Sequence, residues 1–238
     1  MLHDLDCRNC FVRSSTCFSD LVPDDIEALV EKKISTVYKK GQTIFYEGMM
    51  PTGVYCLHKG KIKISRRGND GKDQIVRFVL EGGLLGIRAM MGGRNYSASA
   101  TTLEESVVCY IDQKTFFKLT TKYPHISHCV MTLICALLEE AEAKMTSMAQ
   151  KPVRERLAEG LLILDELFNG AGGCRTDEDG EHSISLTRED LANIIGTATE
   201  TVIRLLSDFK DEKLVETEGR KISILDPEGL KKVSNNNH

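Results

Sequence analysis

Glu200 and Arg204 lie one helical turn apart in residues 186–209, LTREDLANIIGTATETVIRLLSDF. They are the side chains in this chain whose type and spacing best suit recognition chemistry. The segment reads as two short helices joined at Gly196. Thr187, followed three residues later by Asp190, is a capping-box start, and Leu191, Ile194 and Ile195 give the first helix an apolar face. Gly196 supplies the turn that two steeply crossing helices need. The second helix packs through Val202, Leu205, Leu206 and Phe209, so positions 199, 200, 203 and 204 point outward. A helix-turn-helix presents such residues to the DNA major groove. Two amphipathic helices around a glycine also occur in proteins that never meet DNA, and Glu200 would equally complete a capping box begun by Thr197.

The second chemical group is Cys7-x2-Cys10-x6-Cys17. Thiolates bind soft metals or undergo redox chemistry. The chain has eight cysteines, and its opening MLHDLDCRNC lacks the basic and then apolar stretch of a secretion signal. Metal or redox roles in a reducing cytoplasm therefore outrank structural disulfides. Clustered thiols ahead of any core have little packing reason to exist. Cys56, Cys129, Cys135 and Cys174 carry no motif, and His125 and His128 read as surface residues.

Several elements must position these groups. Residues 213–216 and 221–225 are strand-like runs around Glu218-Gly219-Arg220, a hairpin of the kind that forms a wing. Residues 182–186 read as an earlier strand beside it. From about residue 34 to 111, short apolar runs (43–46, 54–57, 61–65, 74–79, 106–111) alternate with glycine turns, which suggests an antiparallel sandwich or barrel. From Pro124 to about Ala149 apolar residues recur at steps of three or four: Ile126, Val130, Leu133, Leu137, Ala141, Met145 and Met148. At 1.5 Å per residue this helix runs ~38 Å, longer than one barrel flank buries. The expectation is a coiled-coil-like dimer seam with Ile126, Val130, Leu133, Leu137 and Ala141 in facing layers. Gln150-Lys151-Pro152 is a hinge before a helix with Val153, Leu157, Leu161, Leu164 and Phe168 on one face. Residues 170–180, rich in Gly and Asp, read as an exposed loop.

The 238 residues suffice for two domains, and no run of 18 apolar residues suggests a membrane span. Charge opposes the DNA reading. Lys+Arg number 31 against 35 Asp+Glu, and from Lys151 onward 12 basic face 18 acidic residues, a net −6. Phosphate contact then requires a local patch, drawn from Arg188, Arg204, Lys210, Lys213, Arg220 and Lys221, with dimer avidity making up the deficit.

The order helix, strand, helix-turn-helix and wing, with the string TETVIRLLSDF, resembles the Crp/Fnr family of bacterial transcription regulators. The barrel strings KKGQTIFYEG and GKIKI are similar to that family too. The resemblance implies an α+β chain in four parts. Residues 1–19 are a cysteine-containing arm, and 20–122 a cyclic-nucleotide-binding-type antiparallel β jelly-roll barrel. Residues 123–150 are a dimerisation helix, and 151–238 a winged helix-turn-helix. It implies that Arg204 donates two bonds to a guanine and Glu200 accepts from a cytosine amino group. Thr199 and Ile203 fall where site preference varies, Ile203 offering only apolar contact to a thymine methyl. Arg188 and the wing residue Arg220 are expected on the DNA backbone. The usual Ser/Thr cap of the second helix is Ala198 here, which moves the expected cap to Thr197.

In the same resemblance cAMP is held by a Glu and an Arg-Ser pair. Those positions read Leu84, Tyr96 and Ser97, so cAMP is not expected, although Arg88 and Arg94 lie nearby. The Fnr branch has a C-x2-C-x5-C triplet and a fourth cysteine on a barrel strand. Cys7, Cys10, Cys17 and Cys109 match that set, and four thiolates can hold an oxygen-labile [4Fe–4S] cluster. The last gap is one residue longer here. Zinc would accept the same thiolates, and Cys109 would equally serve as a small core residue. The implied function is a cytoplasmic homodimeric regulator on a palindromic promoter site, partnered by double-stranded DNA and RNA polymerase, and responding to oxygen or redox state. A regulator with another small ligand, or none, stays open. So does a metal-dependent cupin-type barrel enzyme, although His58 is the one histidine in the barrel region and no partner motif accompanies it.

Overall fold

The computed structural model describes residues 7–14, 16–69, 71–169 and 183–235. The expected loop at 170–180, with Cys174, lies outside the described residues, as does His182 at the start of the expected strand. The chain divides into a first unit, residues 1–140, and a second, residues 141–238.

The first unit opens with a 3-10 turn at Cys7–Asn9, helix α1 (Phe11–Ser14) and helix α2 (Pro23–Lys32). Eight strands follow: β1 (Ile34–Tyr38), β2 (Thr43–Phe45), β3 (Gly53–Lys59), β4 (Ile62–Arg67), β5 (Asp73–Val79), β6 (Leu84–Leu85), then, after helix α3 (Ile87–Met91), β7 (Ser99–Thr102) and β8 (Ser106–Asp112). They form two four-stranded antiparallel sheets, ordered β1-β8-β3-β6 and β2-β7-β4-β5. The glycine-punctuated runs therefore build the expected jelly-roll barrel.

Period-two alternation gives the strands two buried faces. Leu57, Leu85 and Val108 meet Phe45, Ile62, Ile64, Val79, Ala98 and Ala100 between the sheets. Val54 and Ile111 point the other way, into a second core with Leu29 of α2, Ile87 and Met90 of α3, and Phe116 and Leu119 of helix α4 (Gln113–Lys122). The arm belongs to this second core. Cys7, Val12, Cys17 and Phe18 are all buried, contrary to the reading of thiols lying outside any core. Arg13 fixes the arm by donating to three carbonyls, of Cys7 (2.7 Å), Phe18 (3.0 Å) and Ser19 (2.7 Å). Asp25 ties α2 to the α4 end by accepting from Lys122 Nζ at 2.5 Å and from the Tyr123 hydroxyl.

Helix α5 (Pro124–Gln150) forms over the expected span. The expected seam needs correction, because Ile126 and Val130 are fully buried against the second core, and Leu133 packs on its edge. A residue filling its own unit cannot also face a partner. The exposed apolar residues of α5 include Met131, Leu138, Met145 and Met148, with Leu137 only half-buried.

The second unit contains α6 (Val153–Asn169), β9 (Ile184–Ser185), α7 (Arg188–Ile195), α8 (Thr199–Asp211), β10 (Val215–Glu218), β11 (Lys221–Ile224) and α9 (Pro227–Ser234). Leu157, Leu161 and Leu164 bury one face of α6. Gly160 brings that helix close to the helix-turn-helix, since a Cβ there would meet Ile195 Cδ1 at 2.4 Å. Helix α9 went unread from the sequence. Its Asp226 cap, which accepts from Gly229 N, and buried Leu230 close the unit.

Candidate nucleic-acid interface and thiol pocket

Thr187 caps α7 as the sequence suggests: its hydroxyl accepts from Asp190 N at 2.9 Å and donates to the Asp190 carboxylate at 2.8 Å. Gly196 ends α7 at φ 72°, ψ 53°, a left-handed conformation that glycine adopts at little steric cost. Arg156 of α6 holds this turn, its Nε donating to the Ile195 carbonyl at 3.2 Å. The cap of α8 does not move to Thr197. Ala198 is the N-cap and contributes no side-chain hydrogen bond, because a methyl group has no acceptor for the first-turn N–H groups.

Val202, Leu205, Leu206 and Phe209 are buried, which turns the opposite face of α8 outward. Glu200 is exposed, Ile203 is 53% exposed, and Arg204 makes only a loose 4.0 Å contact with Asp208 from an exposed position. Thr199, the first residue of α8, is half-buried. At the far end Arg154 lies over the Phe209 ring at 4.7 Å and donates two bonds to Glu212, so α6 braces α8. Arg188 begins α7 half-buried, and its Nη1 is buried with no hydrogen-bond partner among the described residues. Burial holds that guanidinium below its ordinary pKa, but arginine stays charged in proteins, which keeps it suited to an incoming anion. Strands β10 and β11 pair in register from Val215↔Ile224 to Glu218↔Lys221, with exposed Gly219 and Arg220 at the tip. Strand β9 pairs with β11 through Ile184↔Ile222.

In the barrel, Tyr96 is buried and stacks on Phe45 with centroids 3.9 Å apart. Leu84 is buried beside Ile87 and Met90. Arg88 Nη2 does reach the exposed Ser97 hydroxyl at 2.8 Å. The interior between the sheets, however, is packed with apolar side chains. A cyclic phosphate and its ribose need polar partners that Leu84 and Tyr96 do not supply. His58 lies on the outer face of β3, against Phe11 and Cys10 rather than inside the barrel, so it anchors no cupin-type metal site.

The cysteines divide differently from the expected set. Cys17 is joined to Cys129 of α5 by a disulfide, so Cys7, Cys10, Cys17 and Cys109 do not assemble as four thiolates and an iron–sulfur cluster on that set does not fit. Instead Cys7, Cys10, Cys56 and Cys109 line one small cavity with His58, Lys33 and Arg13. Cys56 and Cys109 are register partners across β3 and β8, so alternation sends both side chains to the outer face, beneath the arm. Cys10 Sγ lies 3.5 Å from His58 Nδ1, and Cys109 Sγ 3.5 Å from the Ser35 hydroxyl. Burial pushes the Cys56 thiol up to about 12 and raises that of Cys7, against which the Lys33 ammonium works. Sequence reasoning missed Cys56 and His58. Alternation along β3 places both on one face, but only the β3–β8 register brings that face to Cys109.

Residues 35–123 match the family model of the cyclic nucleotide-binding domain, and residues 155–233 that of the Crp-like helix-turn-helix domain. The chain is 28% identical to the transcriptional activator protein Anr of Pseudomonas protegens, over 93% of this chain and 89% of that one. It is also 28% identical to the fumarate and nitrate reduction regulatory protein of Escherichia coli K12, over 95% and 89% respectively. Among solved structures it is similar to a transcriptional regulator from Eubacterium rectale, with a TM-score of 0.73 at 18% identity over 91% of this chain and 96% of that one. FixK2 from Bradyrhizobium japonicum gives 0.72 at 22%, over 84% and 96%.

Proposed function

Because the chain belongs to the Crp/Fnr family and is a DNA-binding transcription regulator of that type, we propose that it acts as a cytoplasmic homodimer on a palindromic promoter site, with RNA polymerase as its further partner. The observation that carries this reading is the outward face of α8, where Glu200, Ile203 and Arg204 stand exposed over a fully buried apolar face. Arg204 would take a guanine and Glu200 a cytosine amino group, while Ile203 adds apolar contact and Thr199 sits beside the bases. Arg188, with its partnerless Nη1, and Arg220 at the wing tip would hold phosphates and fix the register. An acidic second unit makes single-site binding weak, so two half-sites must be engaged together.

The dimer seam that supports this is the exposed set Met131, Leu138, Ala141, Met145 and Met148 of α5, separated by seven, three, four and three residues. It replaces the layers first expected. The signal is redox state rather than cAMP, since Tyr96 and Leu84 stand where a cyclic nucleotide would be bound. Joining Cys17 to Cys129 removes two protons and two electrons, taken up by oxygen or by a small disulfide. That bond clamps the arm to the helix carrying the seam.

Selection of bound sequences from random DNA tests the reading. It should return an inverted repeat with a G·C pair in each half-site, and reduced and oxidised protein should differ in affinity for it. An asymmetric or AT-only selected site would refute the assignment of α8.

A further inference from the structure

The break at Gln150-Lys151-Pro152 reads as a hinge in the sequence, yet side chains of α6 hold it from both sides. We propose, on the promoter reading above, that Arg156 is a positioning residue for DNA recognition. It locks the C-terminal end of α5 to the helix-turn-helix and so sets the half-site spacing that the dimer accepts. Its guanidinium donates to four carbonyls. Nη1 reaches those of Lys151 at 2.9 Å and Met148 at 3.4 Å, Nε that of Ile195 at 3.2 Å, and Nη2 that of Gly196 at 3.4 Å. The first pair lies at the end of α5 and the second at the end of α7. The last carbonyls of a helix lack intrahelical partners and carry the negative end of its dipole. Two such ends therefore converge on one cation, whose planar fork serves both at once.

Glu159, almost one turn further along α6, holds the same break from the α5 side. It accepts from Ser147 Oγ at 2.6 Å and from Lys151 Nζ at 2.8 Å. All of these contacts lie within the second unit. Met148 links them to the proposed seam, since its side chain belongs to the exposed set while its carbonyl accepts from Arg156. Gly196 stands three residues before Thr199, where α8 begins. The turn that Arg156 grips therefore fixes the direction in which α8 leaves. In a two-fold dimer that direction sets the distance and angle between the two recognition helices. One base pair added between half-sites shifts the second by about 3.4 Å and turns it by about 34°. A rigid joint cannot absorb that mismatch. Without the clamp the two carbonyl pairs are free to separate, and the joint accommodates more than one spacing.

The test measures binding of the full chain to inverted repeats that keep the half-site selected by wild type and change only the spacer. Spacers one and two base pairs longer and shorter are compared. Each protein's affinity for its best spacer is divided by its affinity for the others, so a uniform loss of affinity or stability cancels. Arg156→Ala should lower this ratio by about tenfold, the scale of one bond to a charged group, while sedimentation shows an unchanged dimer. Arg156→Lys should behave like Arg156→Ala, because one ammonium cannot span both carbonyl pairs. Glu159→Gln loosens the joint without touching the α7 carbonyls and should lower the ratio less. It decides the matter if Arg156→Ala does not fold, an unchanged ratio there counting against the clamp. Amide hydrogen exchange over residues 148–157 of DNA-free protein should also quicken in the Arg156 variants. A wild-type ratio in Arg156→Ala would overturn the inference, leaving Arg156 a stability residue. A wild-type ratio in Arg156→Lys would overturn it too, since charge alone would then suffice. A sharp wild-type optimum kept by both variants defeats this inference alone, whereas a wild type indifferent to the spacer defeats the promoter reading on which it stands.

Discussion

Replacing Leu138 by Asp should take the proposed dimer apart while leaving each chain folded. Leu138 is 59% exposed in the single chain and lies mid-stripe on α5. Fully burying a leucine is worth about 1.5–3 kcal/mol, so covering the exposed three-fifths contributes about 1–2 kcal/mol per protomer. Two-fold symmetry counts it twice, giving about 2–4 kcal/mol, or roughly 30–700-fold in the dimer constant at 1.4 kcal/mol per tenfold. Aspartate adds a charge facing its own copy across the seam, which raises the cost further. Sedimentation equilibrium over a concentration series, with circular dichroism on the same samples, measures both quantities. The thermal midpoint of the isolated chain should barely move, since Leu138 buries little there. A variant with the wild-type monomer–dimer constant would refute the assignment of the stripe. Ile126→Ala provides the contrast: it should cost about 2–5 kcal/mol of folding stability through a core cavity, without acting specifically on the seam.

Arg204→Ala should lose about 1–3 kcal/mol per half-site and relax preference at one base pair. Arg188→Ala should instead weaken all sequences alike and flatten the dependence on salt, both read by fluorescence anisotropy. Hydrogen bonds from Lys122 and then Tyr123 hold the Asp25 carboxyl below its ordinary pKa. Its stabilisation is therefore complete above the unfolded carboxylate pKa and is lost as pH falls through the lower folded value. Asp25→Asn should accordingly lower the denaturant midpoint at pH 7, with the gap to wild type closing in acid; a constant gap would exclude the ionised pair. Oxidised wild type should exceed Cys17→Ser by about 2–4 kcal/mol, a difference that vanishes under reductant, with equal oxidised stabilities counting against the Cys17–Cys129 bond.

The acidic balance of the second unit acquires a structural meaning once α8 is seen in place. Glu212 is spent on Arg154, and Asp190 on the Thr187 cap. Exposed basic side chains at Arg204, Lys210, Lys213 and Arg220 remain on α8, its C-terminal turn and the wing. Net charge described the unit as a whole, whereas phosphate contact depends on where the charges stand.

What the sequence by itself determined is what rests on neighbours in the chain. The Thr187–Asp190 cap, the Gly196 turn, the apolar face of α8 and the wing hairpin all follow from contacts within a few residues, and the barrel strands from alternation between glycine turns. Helix α9 is just as local, with Pro227 after the Asp226 cap, and was legible but overlooked. Tertiary structure alone decided two matters. A helix of 3.6 residues per turn offers more than one apolar stripe. Ile126–Val130–Leu133 and Met131–Leu138–Met145 both fit α5, and only packing on Phe116 and Leu119 reveals which is spent on the chain's own core. The cysteines were the other. Spacing along the arm pointed to Cys17, but thiols meet according to which strands pair and which helix covers them. The register Cys56↔Cys109 and the position of Cys129 on α5 therefore set the partners, because proximity between residues distant in sequence comes from the packed fold.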